Sequence, residues 1–264
     1  MQTKIFNSFF FQYGRYLQYD LIHSLEQKTR LGRNIDLLIT FRKQFDIIIT
    51  SNLSEKEAEH LKKVIKKAVD DYIGDHKNEC LDIDLTSICC SSFNYGALFE
   101  EDFKEIFTSF RVSCSDFKKI DAIEHEENSQ EFAKDKDERS VLIQALLEFN
   151  NALSHIFTSV YHGNDDLGNI NKAKNHLYRG TLDNYKMFIR LSIKSVKQKN
   201  PKLFEEFKDI RIQELLHLGK DVQGKVINNE YLHKQYKELY NKSLPYLDEK
   251  SNSQTQYQSH KLSH

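Results

Sequence analysis

Glycine and proline are scarce in this chain of 264 residues, which contains only nine glycines and two prolines. Together they make up roughly 4% of the sequence, where ordinary proteins carry about 12%. Because tight turns usually need one of these residues, the scarcity excludes collagen-like, linker-rich and turn-dense all-β chains. A hydrophobic content of 39%, with 12% aromatic residues, is enough to build a core and excludes wholesale disorder.

Long apolar runs and secretion signals are also lacking. No stretch of about 18 apolar residues occurs, so no membrane span and no membrane partner is predicted. The segment 1–19 is aromatic but is interrupted by polar residues, and it lacks the apolar region of a signal peptide. We therefore expect a cytoplasmic protein whose cysteines stay reduced.

The cysteines do not follow the spacing of a structural zinc site, which favours pairs two to four residues apart. Two of them are adjacent and the others are distant, so we expect small buried hydrophobic side chains and no bound metal. The four residues are Cys80, Cys89, Cys90 and Cys114.

The common catalytic motifs are absent as well. The sequence contains no P-loop, no G-x-G-x-x-G dinucleotide motif, no G-x-S-x-G nucleophile turn and no H-E-x-x-H zinc motif. P-loop NTPases, Rossmann dehydrogenases, α/β-hydrolases and zinc proteases lose most of their support, and no cofactor is predicted.

The near-zero net charge of −1 conceals an asymmetry. Residues 1–128 carry 17 basic and 22 acidic side chains, whereas residues 129–264 carry 21 basic and 17 acidic ones. A polar segment at 124–139 separates the halves and is typical of an exposed connection. We predict a mixed α+β region over 1–128, a helical bundle domain over 129–247 and a disordered tail over 248–264.

Two segments of the first half have helical patterns. Aromatic and leucine residues recur at helical spacing over about 5–27. A second helix begins at the capping box Ser54–Glu57 and ends near Gly74. A short third helix is expected over about 100–110.

Other segments of the first half resemble strands. The β-branched runs 35–41 and 45–50 could be strands or a buried helix, because the pattern alone does not separate the two. Residues 81–85 alternate between apolar and acidic side chains, which predicts a strand, and another could lie near 110–114. Asp82 and Asp84 would share one strand face, where they could hold Mg²⁺, but solvent-facing carboxylates are the preferred interpretation.

The second half has helical patterns throughout, over about 142–160, 170–198, 201–217 and 229–243. Asn200 and Pro201 are suited to the N-cap and the first position of the third of these helices. We therefore predict a mainly α protein, with a C-terminal bundle of about four helices and a mixed α+β N-terminal half.

Basic residues gather on one side of the helix predicted over 170–198. At 100° per residue, six of them fall within about 80° of one another. Over residues 172–242 there are 16 basic and 8 acidic side chains, a charge pattern that favours binding of a polyanion such as nucleic acid. The alternative is an ordinary solvated helix face, and the aromatic residues of this helix are assigned to the core. The predicted nucleic-acid-binding residues are His176, Arg179, Lys186, Arg190, Lys194 and Lys197.

Polar residues also line one face of each helix in the hairpin on either side of residues 162–169. If the faces met, Glu148, His155, Arg179 and Asp183 could form an acid–base or RNA-cleaving site. Each set lies away from the apolar stripe of its own helix, so solvated faces are the preferred interpretation.

Arg211 and His217 stand in an R-x5-H spacing. This spacing resembles the motif of HEPN ribonucleases, helical bundles that typically dimerise to form a metal-independent RNA-cleaving site. The resemblance implies that Arg211 and His217 are a catalytic pair. It covers only the helical half, and Ile212 stands where the family usually has a polar residue.

The preferred hypothesis is a non-enzymatic helical interaction protein that docks a partner subunit, a second copy of itself or a polyanion through the basic helix face. Such a protein could be an accessory or regulatory component of a bacterial or viral conflict system, for example in antiviral defence. The alternative hypothesis is a HEPN-like ribonuclease acting as a toxin or defence effector.

Overall fold

The computed structural model describes residues 2–26, 33–76, 79–118, 132–134, 140–217, 226–227 and 230–246. Helices dominate these residues, and the fold is all-α. The helices of the first half are α1 (Gln2–Glu26), α2 (Arg33–Thr50), α3 (Glu55–Ile73), α4 (Thr86–Cys89) and α5 (Glu101–Lys118). Those of the second half are α6 (Ile143–His162), α7 (Asn169–Lys199), α8 (Pro201–Leu216) and α9 (Leu232–Ser243). Two short 3₁₀ turns lie at Tyr95–Phe99 and Leu244–Tyr246.

The prediction of a mixed α+β N-terminal half is wrong, because the described part of residues 2–118 contains no strand. The β-branched runs at 35–50 form the single helix α2. Its buried side chains recur every three or four residues, at Leu38, Phe41, Phe45 and Ile48. Burial of this helical face outweighs the modest preference of isoleucine and threonine for strands.

The strands predicted near 81–85 and 110–114 are also absent. Residues 110–114 continue helix α5, whereas residues 81–85 are extended but belong to no strand. The alternation of exposure does occur, since Asp82 and Asp84 are exposed and Leu85 is buried. The segment packs on a helix, where the Leu81 N–H donates to the Gln18 carbonyl, and a helix offers no ladder of backbone partners.

Local capping predictions are confirmed where the cap residues are present in the sequence. Ser54 and Glu57 form the reciprocal hydrogen bonds of a capping box at the start of α3, and Gly74 ends that helix with φ of 59°. Asn200 caps α8 by accepting a hydrogen bond from the Leu203 N–H, and Pro201 occupies the first turn.

Four very short strands form two antiparallel ribbons in the second half. β1 (Phe132–Lys134) pairs with β2 (Ser140–Leu142), and β3 (Val226–Ile227) pairs with β4 (Glu230–Tyr231). The predicted connection at 124–139 and the predicted boundary near residue 128 lie largely in 119–131 and 135–139, outside the described residues. The predicted tail at 248–264 lies outside them too, so the predicted domain limits stay a prediction.

The chain forms two compact units, each built from two separate stretches. Unit 1 contains Met1–Phe107 and Leu146–Leu177, and unit 2 contains Thr108–Ala145 and Tyr178–His264.

Unit 1 is held together by an aromatic core. Phe9, Phe10, Phe41 and Phe45 are buried and pack edge to face or tilted against one another. At Gly14 of α1, an added Cβ would lie 2.6 Å from Leu85 Cδ2, so a larger residue there would require the Leu85 side chain to shift.

Unit 2 combines apolar packing with a buried carboxylate. Asp116, on α5, is 3% exposed, accepts a hydrogen bond from Tyr185 Oη at 3.1 Å and forms an ion pair with Lys237. Burial and the nearby Asp116 raise the pKa of Tyr185, so its hydroxyl remains a donor. At Gly180 of α7, an added Cβ would lie 2.7 Å from Phe110 Cε2.

Candidate polyanion-binding surface

Three of the six predicted nucleic-acid-binding residues share an exposed face in the second half of α7. We call Arg190, Lys194 and Lys197 the basic surface. All three are exposed, and at 100° per residue they fall within about 60° of one another. Their Cα positions extend over about 10 Å of helix, roughly three nucleotide steps of one DNA strand.

No acidic side chain competes for these cations within α7. The helix contains no aspartate or glutamate after Asp183, and among the described residues Arg190 and Lys194 form neither an ion pair nor a hydrogen bond. Cations in the last turn of a helix are stabilised by the negative end of the helix dipole, which is a structural reason for a lysine at position 197. Arg190 and Lys194 lie before that turn, so the dipole does not explain them.

His176 is held by an internal partner rather than by solvent. In unit 1 its Nδ1 lies 2.6 Å from Glu148 Oε2, and its ring stacks on the ring of His155 with 5.1 Å between centroids. His155 Nδ1 in turn lies 3.0 Å from Asn169 Oδ1. The preferred interpretation of solvated faces is therefore wrong for Glu148 and His176, because the α6–α7 hairpin brings them together.

Lys186 likewise forms ion pairs with acidic side chains, here within unit 2. Its ammonium group lies 2.9 Å from Glu214 Oε1 and 3.4 Å from Asp183 Oδ1. Burial opposes ionisation of Glu214, but hydrogen bonds from Tyr236 and Lys186 outweigh burial and hold the pKa of Glu214 below its usual value. Arg179, the remaining predicted residue, is exposed on the same helix.

The structure places Arg211 and His217 in separate surroundings. Arg211 forms an ion pair with Glu214 and donates to Tyr236 Oη at 3.3 Å. This hydrogen bond to Tyr236 raises the pKa of Arg211 above its ordinary value. His217 Nδ1 lies 2.8 Å from the Gln213 carbonyl oxygen, one turn back on α8. Among the described residues no hydrogen bond joins Arg211 to His217, and their catalytic role stays a prediction.

An aromatic ring beside the basic surface escaped the sequence analysis. Phe204, in the first turns of α8, is partly exposed, and the ammonium groups of Lys197 and Lys208 lie 5.6 and 5.4 Å from its ring centroid. The assignment of the α7 aromatic residues to the core is confirmed, because Tyr178, Tyr185 and Phe188 are buried. The spacing of seven residues from Lys197 to Phe204, across the Asn200 cap, was the signal available in the sequence.

The cysteines and the paired aspartates do not form a site. Cys89 and Cys90 are exposed, and Cys80 and Cys114 are half-buried, so the prediction of buried cysteines is wrong. Asp84 instead accepts hydrogen bonds from the backbone and hydroxyl of Thr86 at the start of α4. Within the ranges that the structure describes, no group of three or more histidine, cysteine or acidic side chains is arranged to hold a metal ion.

In the described part of the chain, no helix is both long and apolar enough to cross a membrane. The chain matches no protein-family model, no curated protein and no solved structure.

Proposed function

We propose that this protein binds nucleic acid through the basic surface of α7, without catalysing a reaction on it. The observation that carries the proposal is that Arg190, Lys194 and Lys197 are exposed on one face of the second half of α7, which has no acidic residue after Asp183. The three residues extend over about 10 Å, long enough to reach neighbouring phosphates of one strand, and each contacted phosphate releases condensed counterions.

Two of the six predicted nucleic-acid-binding residues, His176 and Lys186, are not part of the proposed binding surface. His176 and Lys186 serve the internal packing of their own units, through Glu148 and Glu214. Lys202 is a further exposed cation, in the first turn of α8, five residues after Lys197. Three or four phosphate contacts supply modest, salt-sensitive affinity, which suits an accessory component more than a sequence-specific regulator.

The cysteines indicate the cell compartment in which binding takes place. We place the protein in the cytoplasm, which is supported by four free cysteines, two of them exposed. A role beside a partner subunit, or in a self-associated form, stays a prediction from the sequence. No observation favours the HEPN-like ribonuclease, because Arg211 contacts Glu214 and Tyr236 whereas His217 contacts the Gln213 carbonyl, and the two share no partner among the described residues.

The test compares two triple variants that change the net charge equally. In the first, Arg190, Lys194 and Lys197 are each replaced by glutamine. In the matched control, Lys63, Lys66 and Lys67 of α3 are replaced by glutamine, since these side chains are also exposed. Binding of a fluorescently labelled 20-nucleotide oligonucleotide, single-stranded and duplex, is measured by anisotropy at 50 mM salt.

We expect the α7 variant to lose at least tenfold in affinity for the oligonucleotide and the α3 control to keep it within twofold. Equal losses in both variants would show that net charge alone attracts the nucleic acid, and the proposed surface would be wrong. Absence of binding by the unmodified protein at this salt concentration would overturn the proposal altogether.

A further inference from the structure

We infer that the basic surface takes single-stranded nucleic acid, with one unpaired base stacked on the ring of Phe204. This inference rests on the proposed function and adds the class of nucleic acid that the surface recognises. The juxtaposition that carries it is a partly exposed phenyl ring between Lys197, which belongs to the basic surface, and Lys208.

Phe204 differs from every other aromatic residue of α7 and α8. Tyr178, Tyr185, Phe188 and Phe207 are all buried in unit 2, whereas Phe204 lies partly in solvent. The buried side of α8 is formed by Leu203, Phe207 and Ile210, which recur at helical spacing. Phe204 lies beside this stripe rather than within it, so the core does not account for its ring.

Two charged side chains lie against the ring of Phe204. The two ammonium groups lie within 6 Å of the ring centroid, which is the range of a cation–π interaction. Lys208 also forms an ion pair with Glu205 at 2.5 Å, so it is the more firmly held of the two. The Lys197 ammonium group is the one that can move from the ring to a phosphate when a ligand arrives.

A single strand satisfies both features, and a duplex satisfies only one. Each base has an apolar π-face that can stack on a phenyl ring, while the phosphates on either side of that base can contact Arg190, Lys194 and Lys197. In a duplex the bases are paired and stacked on each other, so no unpaired base is available to stack on Phe204. Stacking of this kind depends little on which base is present, so we expect weak sequence preference.

The experiment measures the affinity of the full chain for a single-stranded 20-mer and for a duplex of the same sequence. The variant Phe204→Leu keeps an apolar side chain and removes the π-face, whereas Phe204→Trp keeps a π-face. We expect Phe204→Leu to weaken single-strand binding about 5- to 100-fold and to leave duplex binding within twofold. Phe204→Trp should retain single-strand binding, and its indole fluorescence should be quenched when the oligonucleotide stacks.

The outcomes separate this inference from the proposed function. If the protein binds both ligands equally and Phe204→Leu changes neither affinity, stacking on Phe204 is wrong, while binding by the basic surface stands. If the unmodified protein binds neither ligand, both proposals fail together. Equal weakening of single-strand and duplex binding in Phe204→Leu, together with a lowered unfolding midpoint, would assign Phe204 a structural role and overturn the inference.

Discussion

Removing the Glu214 carboxylate tests whether Lys186 belongs to a structural network rather than to the binding surface. Glu214 accepts a hydrogen bond from Tyr236 Oη at 2.5 Å and contacts Lys186 and Arg211. Tyr236 is fully buried. In Glu214→Ala the Tyr236 hydroxyl keeps Arg211 as a neighbour. A guanidinium group cannot accept a hydrogen bond, so the hydroxyl donor stays unsatisfied.

The magnitude follows from the burial of each partner. An unsatisfied buried donor costs about 1–3 kcal/mol. Lys186 retains water and Asp183, so its share is about 0–1 kcal/mol. We therefore expect Glu214→Ala to lower the free energy of unfolding by about 1–4 kcal/mol. Tyr236→Phe alone should cost about 1 kcal/mol, because it removes the hydrogen bond to Glu214 and the longer one from the exposed Arg211, and it leaves no buried donor unsatisfied.

Urea denaturation of both single variants and of the double variant completes a mutant cycle. The double variant should be about 1–2 kcal/mol more stable than the sum of the single losses predicts, because it has no orphaned hydroxyl. Additive losses, or a loss below about 0.5 kcal/mol in Glu214→Ala, would refute the network.

The same carboxylate predicts a pH dependence. Its pKa in the folded protein lies below the ordinary value of about 4.3, so the folded state binds fewer protons than the unfolded chain does. Its contribution is therefore present above that pH and is lost as the pH falls through the folded pKa. The stability difference between the unmodified protein and Glu214→Gln should be greatest above about pH 5 and narrow below about pH 4.

Two further substitutions test the packing of unit 1. Glu148→Ala removes the buried partner of His176 and should lower the free energy of unfolding by about 2 kcal/mol, measured by urea denaturation. The nucleic-acid affinity should not change, because His176 contributes to packing. A loss of affinity at unchanged stability would show that His176 belongs to the binding site. Gly14→Ala should cost about 1–3 kcal/mol, because the new Cβ meets Leu85 at 2.6 Å, and a stabilised variant would contradict the close approach seen in the structure.

The sequence predicted the elements whose signals are local. The capping box at Ser54 and the Asn200–Pro201 start of α8 depend on residues three or four apart, and both are present as predicted. The runs at 35–50 were ambiguous because β-branched residues suit a buried strand or a buried helix, and only packing against neighbouring helices decides between them. At 81–85 the alternation of exposure was correct, but the described part of the chain places no strand beside this segment to make it part of a sheet.

The candidate site was predicted only in part, for a similar reason. Helical periodicity predicts the six residues on one side of α7, but the acidic partners of His176 and Lys186 lie far along the chain. Glu148 and Glu214 are each 28 residues from the side chain they contact, His176 and Lys186 respectively. Pairing at that distance depends on how helices pack. Phe204 was missed because it belongs to the next helix and approaches Lys197 only across the cap between them.

The most direct test of the central claim is the salt dependence of nucleic-acid binding by the unmodified protein. Three phosphate contacts predict that the logarithm of the association constant falls with the logarithm of the salt concentration with a slope of about −2 for a single strand. Replacing Arg190, Lys194 and Lys197 by glutamine should bring the slope close to zero. A slope that is unchanged in this variant would contradict the account, because the counterions would then be released elsewhere on the protein.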